Sequence, residues 1–387
     1  MAAKALLDGI ETECGLDFLS SIRYHTSPPG STFFAPLDAI LSNYDPHATE
    51  ISTLNRGNVI EIQGPAASGK TQCLQFFAMT TCMPRDWQVS LSVRGSSRPP
   101  RPEKIAIGGR EKCVAVIDCD GRFDSKRTYH LVHSHLVRRV QEHAATIPSL
   151  YSAEAEPEAL HEETLQALKR IHLFRPTSSA SLAATLLRLP EYCMKNCQSE
   201  LAFLLIDNVS AFYWQDRYQL EQQAKSNKKH LSRSSPMVHV LQALHEVRKS
   251  TGVVTVMTNW AFPAQGDRHP TSSSPFYRQH LNKPYPAPFV PAPDGTIPPA
   301  PEIDAHHPLS TGAVKLNVTH HITLHHPQTK AVPKDISLEH AIKEEPYRVM
   351  EQQELGSMAF VRLPGIEEGD PLGRWDLVIR PNTVEGL

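Results

Sequence analysis

The stretch Asn58-Val59-Ile60-Glu61-Ile62-Gln63-Gly64-Pro65-Ala66-Ala67-Ser68-Gly69-Lys70-Thr71-Gln72-Cys73-Leu74-Gln75-Phe76-Phe77-Ala78 decides the fold. Val59 to Ile62 is a short apolar run that reads as a strand. Thr71 to Thr81 reads as a helix, with apolar residues at Leu74, Phe77 and Ala78. Between the two, Gly64 to Thr71 matches G-x-x-x-x-G-K-S/T in full, and in the strand-to-helix setting that the motif requires. Glycine lets successive backbone N–H groups turn into one concave cradle, and the helix N-terminus adds partial positive charge. Gly64, Pro65, Ala66, Ala67, Ser68, Gly69, Lys70 and Thr71 are therefore the candidate phosphate-binding residues, with ATP and Mg²⁺ as the implied cofactors. Lys70 is expected to reach the β- and γ-phosphates, and Thr71 to place its hydroxyl on the Mg²⁺.

Outward from this loop, apolar strands alternate with helices. Cys113 to Ile117, Ile171 to Phe174, Leu201 to Ile206 and Gly252 to Thr258 read as strands; Ser125 to Ala144, Ser179 to Met194 and Met237 to Lys249 read as helices. Continuous apolar strands in such alternation predict an α/β fold, a mainly parallel sheet covered on both faces. Val93 to Lys112 reads as a basic, Pro-containing linker. Val314 to Leu324, Met358 to Leu363 and Trp375 to Ile379 alternate apolar with polar residues, and are expected to be antiparallel additions to the sheet. Asp207 ends an apolar strand and is the candidate Mg²⁺ carboxylate opposite Thr71. Asp118 and Asp120 leave the end of another strand, where ligands of open α/β sheets bind.

The chain has 387 residues, with 39 Lys and Arg against 41 Asp and Glu. No global basic field marks a polyanion partner, so any such site must be local. No apolar run is long enough to span a bilayer, and the N-terminal apolar stretch is too soon interrupted by acids for a signal peptide, so no membrane partner is expected. Seven cysteines without a C-x-x-C pair fit reduced thiols of the cytosol or nucleus. Twelve of the 32 prolines fall between Ala261 and Pro308, which predicts a loose insertion over about 261–312. His130, His133 and His135, and the pairs His306-His307, His320-His321 and His325-His326, stand at no zinc-ligand spacing with cysteine. Cys193 and Cys197, four apart on a helix, read as core packing, and no transition metal is expected.

Leu37-Asp38-Ala39-Ile40-Leu41, Gly57-Asn58-Val59-Ile60-Glu61-Ile62, the phosphate loop, Cys82-Met83-Pro84 and Leu204 to Arg217 occur in an order that resembles the RecA-like recombinase paralogues of eukaryotic homologous recombination. The resemblance implies a RecA-like core over 51–387 with antiparallel C-terminal strands, preceded by a lead-in segment over 1–50. It further implies a nuclear protein of DNA double-strand break repair that binds single-stranded or branched DNA and works as a heteromer with other recombinase paralogues. Asp120 stands where active members of the family carry Glu, and Trp260 where they carry a γ-phosphate-sensing Gln, so ATP hydrolysis is expected to be weak. The family's first DNA loop corresponds to Asp216 to Ser235. There Arg217, Lys225, Lys228, Lys229 and Arg233 face only Asp216 and Glu221, a cluster that either neutralises phosphates or is simply solvated. Two rival readings remain at this stage. One is a generic P-loop NTPase or kinase with Asp120 as base; the other is a scaffold with a vestigial nucleotide site.

Overall fold

The computed structural model describes residues 28–44, 52–93, 99–148, 153–226, 236–260, 318–325, 336–355, 357–362, 373–380 and 383–386, with Gly15 besides. In chain order its elements are α1 (Ala35–Tyr44), β1 (Val59–Gly64), α2 (Lys70–Cys82), β2 (Asp86–Val93), β3 (Arg101–Ala106), β4 (Cys113–Asp118), α3 (Ser125–Thr146), β5 (Ala153–Ala155), α4 (Pro157–Leu168), β6 (Ile171–Phe174) and α5 (Ser179–Asn196). β7 (Leu201–Asp207), α6 (Tyr213–Ser226), α7 (Pro236–Thr251), β8 (Val254–Trp260), β9 (His320–His325), α8 (Leu338–Leu355), β10 (Ser357–Arg362), β11 (Arg374–Ile379) and β12 (Val384–Gly386) follow.

Nine strands form one sheet in the order β12-β11-β10-β9-β1-β8-β7-β4-β6. The five strands from β1 to β6 in that order pair in parallel, and every residue of β1, β4 and β7 is buried. Helices on both faces account for this, which is why β4 and β7 are apolar up to their terminal acid rather than alternating; β1 buries Glu61 and Gln63 as well, Glu61 Oε1 accepting from Asn259 Nδ2 at 3.0 Å and Gln63 Oε1 meeting His321 Nε2 at 3.0 Å. The expected α/β fold, a mostly parallel RecA-like sheet flanked by helices with antiparallel strands at its C-terminal edge, is the one present. The lead-in contributes to its core: Phe34, at the start of α1, lies 4.2 Å from the Phe76 ring, and Leu37 and Leu41 are buried beside it.

Three expectations need correction. The chain from Val93 to Lys112 is not simply a linker, because Arg101–Ala106 is a strand that pairs antiparallel with β2, and β2 also pairs with β5 in a separate three-stranded sheet. Trp87, Val89 and Leu91 alternate with exposed residues and are buried, as is Ile105 on β3, so a period of two was present in the sequence. Among the C-terminal strands, β10 and β11 are antiparallel as expected and β12 joins β11 antiparallel, but β9, antiparallel to β10, runs parallel to β1, and residues 314–317 of the expected strand lie outside the described residues. The connection between β8 and β9 is long enough for the crossover that parallel neighbours need. Finally, α6 is a helix through Ser226, so the expected loop from Asp216 begins as helix. The Pro-rich insertion at 261–312 lies outside the described residues.

Candidate nucleotide site

β1 delivers the chain to Gly64 at the carboxyl end of the sheet, and α2 leaves from Lys70. Between them Ala67 (φ 59°) and Gly69 (φ 98°) are both left-handed and bend the loop around Ser68. Alternation of this kind turns neighbouring N–H groups toward one concavity. Both motif glycines have a steric reason. A Cβ on Gly64 would stand 2.5 Å from Ser68 Oγ and 2.8 Å from the Leu324 carbonyl; one on Gly69 would stand 2.4 Å from Ile379 Cδ1. The loop thus rests on β9 and β11, so the C-terminal strands shape its floor.

A cavity of about 510 Å³ opens above the loop, walled by Asp120, Arg122, Asp207, Asn208 and Trp260. Lys70 Nζ donates to the carbonyls of Gly64 (2.9 Å) and Pro65 (2.6 Å), and burial lowers its pKa to about 8 against the pull of Asp207. Thr71 Oγ1 donates to Asp207 Oδ2 at 2.7 Å, and Thr258 Oγ1 to Asp207 Oδ1 at 2.6 Å. Burial raises the Asp207 pKa even so, the two hydroxyls only partly offsetting it. Asp120 Oδ2 accepts from Asn208 Nδ2 at 3.2 Å, whereas Oδ1 is buried without a hydrogen-bond partner. Burial, then the charge of Asp207, pushes the Asp120 pKa up to about 6. The loop cradle, the unpartnered Ser68 Oγ and Asp120 Oδ1, and the oxygen donors of Thr71 and Asp207 fit a polyphosphate together with a hard divalent cation.

The two acids after β4 part company. Asp120 faces the cavity, while Asp118 is buried away from it, accepting from Arg122 N at 3.0 Å and Arg175 Nε at 3.2 Å. Three residues near the site escape motif reading. Arg122 brings a positive charge to the mouth, Asn208 orients Asp120, and Thr258 anchors Asp207. Arg122 and Asn208 closely follow the acids that end β4 and β7, a position that could have drawn attention to them.

Of the expected DNA-contacting residues, Arg217 and Lys225 lie on α6, and Lys228, Lys229 and Arg233 lie outside the described residues. Arg217 Nε donates to Glu221 Oε1 at 2.8 Å, and its guanidinium sits 5.6 Å from the Trp214 ring centre. Asp216 turns inward to accept from Ser179 Oγ at 2.6 Å, and burial raises its pKa. An acid docked to α5 and an i,i+4 ion pair hold this segment helical. Trp214 and Tyr218 are more than half exposed on the same helix.

His130 and His133 pack around Tyr129, and His321 Nε2 meets Gln63 Oε1 at 3.0 Å in the core. Cys193 and Cys197 are half-buried, Cys193 packing against the core as expected, whereas Cys113, His172 and Cys197 converge at the opposite end of the sheet. Among the described residues no helix is long and apolar enough to cross a membrane.

No family model matches the chain. Over 239 residues it is 27% identical to the DNA repair protein XRCC2 homolog of Arabidopsis thaliana, an overlap of 57% of this chain and 60% of the relative. The matched part therefore spans less than two thirds of that relative. This similarity bears out the resemblance to the RecA-like recombinase paralogues, and among them to the second X-ray-repair cross-complementing paralogue.

Proposed function

We propose that this chain is an ATP-binding recombinase paralogue that acts in the nucleus in DNA repair by homologous recombination, as one member of a heteromer with other recombinase paralogues. The observation that carries the nucleotide part is the 2.7 Å hydrogen bond from Thr71 to Asp207, which joins two residues 136 apart in sequence at the mouth of the cradle. Lys70 exchanges the loop carbonyls of Gly64 and Pro65 for phosphate oxygens, and the loop N–H groups hold the rest of the phosphate chain. Thr71 and Asp207 would hold the Mg²⁺, the acid by way of its water shell. When bound, Mg²⁺ neutralises phosphate charge and orients the terminal phosphoryl group.

Turnover is weak. Asp120 is the carboxylate placed to orient water, yet it is one methylene shorter than Glu, and misplacing a catalytic group by ~1 Å costs about a hundredfold. Trp260 in the cavity wall offers a single ring N–H donor and no acceptor. Nucleotide then acts through assembly rather than through rapid hydrolysis. For single-stranded or branched DNA, α6 presents Arg217 beside two exposed aromatic rings, a surface suited to phosphate contact and base stacking.

Fluorescent ATP-analogue binding to the full chain tests this reading. Saturable, Mg²⁺-dependent binding is expected, and Thr71→Val and Asp207→Asn should each abolish the Mg²⁺-dependent part. Absence of saturable binding would favour the vestigial-site scaffold, and turnover as fast as that of an active strand-exchange recombinase would favour the generic NTPase. Arg217→Ala should lower the salt slope of single-stranded DNA binding by about 0.7; an unchanged slope removes Arg217 from the DNA surface.

A further inference from the structure

We propose that Cys113, His172 and Cys197, with Cys193 as fourth donor, form a structural zinc site at the amino-terminal end of the central sheet. Cys113 is the first residue of β4, His172 the second of β6, and Cys197 the cap of α5. Their ligand atoms all lie within 4.8 Å of one another, with Cys197 Sγ 3.4 Å from His172 Nε2. A tetrahedral zinc with Zn–S of ~2.3 Å spaces its sulfur ligands at ~3.8 Å. Small side-chain rotations close that gap.

The surrounding groups already orient the donors. Tyr192 Oη engages His172 Nδ1 at 3.2 Å, which leaves Nε2 toward the sulfurs, as a ligating histidine usually holds its other ring nitrogen in a hydrogen bond. Ser199 Oγ lies 3.4 Å from Cys113 Sγ. Cys193 stands one helical turn before Cys197, on the same side of α5.

Cys73 and Cys82 differ: each is buried in the apolar core and belongs to no such group of ligand atoms. Three sulfurs and one imidazole select zinc over Mg²⁺ or Ca²⁺. The ion would tie β6, the edge strand of the nine, to β4 and to the end of α5.

Elemental analysis and native mass spectrometry of the full chain, purified with reductant, should find one zinc per molecule. After chelation, titration with Co²⁺ should raise the intense visible bands of a tetrahedral site and thiolate-to-cobalt charge transfer in the near ultraviolet. Cys197→Ser and His172→Asn should lose these bands, whereas His161→Asn and Lys70→Ala should keep them, the latter separating this site from the nucleotide site. If the variants fail to fold, the wild-type metal content and cobalt spectrum decide alone. A wild-type chain free of stoichiometric zinc, a cobalt spectrum without thiolate charge transfer, or undiminished metal in folded Cys197→Ser would overturn the proposal.

Discussion

The two ends of the parallel sheet handle charge in opposite ways. At the amino-terminal end, Arg56 and Lys112 converge on Glu200, with Arg56 almost wholly buried and Lys112 Nζ 2.8 Å from Glu200 Oε2. Although burial opposes it, the hydrogen bonds from Lys112 and Arg56 hold the Glu200 carboxyl below its ordinary range. At the carboxyl end, Asp120 and Asp207 crowd one cavity with raised pKa values, Arg122 meets Asp120 only at 3.7 Å, and the nearby Lys70 is held by carbonyls rather than by a carboxylate. Matched charges fasten strands together. Unmatched ones cost stability and persist where a ligand completes them, so perturbed groups in a cleft mark the functional end.

Breaking the fastened end should give the largest effect. Glu200→Gln removes the carboxylate on which the buried Arg56 and Lys112 converge and should lower unfolding free energy by about 3 kcal/mol in urea denaturation, with nucleotide affinity unchanged. Because the Glu200 pKa is depressed in the folded state, its contribution is full above the ordinary Glu range and fades as pH falls through the folded value. An unaltered denaturation midpoint would remove the contrast.

Lys70→Met tests the other end with the opposite sign on stability. Charge-assisted hydrogen bonds of about 1.5–3 kcal/mol are lost, so nucleotide affinity should fall about 10- to 100-fold. Melting of the nucleotide-free variant should occur at the same temperature or higher, since a desolvated ammonium has been removed. A clear loss of melting temperature would mean that Lys70 fastens the loop instead.

The smallest effect is a pH dependence. Lys70 loses its proton near pH 8 in the free protein, and phosphate takes up the charged form. Nucleotide affinity should therefore decline between about pH 7 and 9, approaching but not exceeding tenfold per unit. The same titration of Lys70→Arg should stay flat.

How far such features could be read in advance depended on whether their cause was local. Gly64 to Thr71 was legible because backbone geometry and helix initiation are properties of adjacent residues. β4 and β7 were legible because burial on both faces demands unbroken apolar runs. β2 and β3 are masked although Trp87, Val89 and Leu91 alternate, because the basic residues and prolines beside them dominate the composition. The direction of β9 was not legible, since strand polarity follows from the path of a connection rather than from side-chain pattern. Nor was the loop-to-helix difference after Asp216, which turns on a contact with Ser179 in another helix.

By itself the sequence determined the phosphate-loop motif and the run of core strands, with Asp207 at the end of one, because each is written in neighbouring residues. Only the tertiary structure decided that Asp120 faces the cavity and Asp118 does not, that β9 and β11 form the floor beneath Gly64 and Gly69, and that Cys113 meets His172 and Cys197. Those are encounters between residues distant along the chain, and strand order and register, which no local pattern records, bring them together.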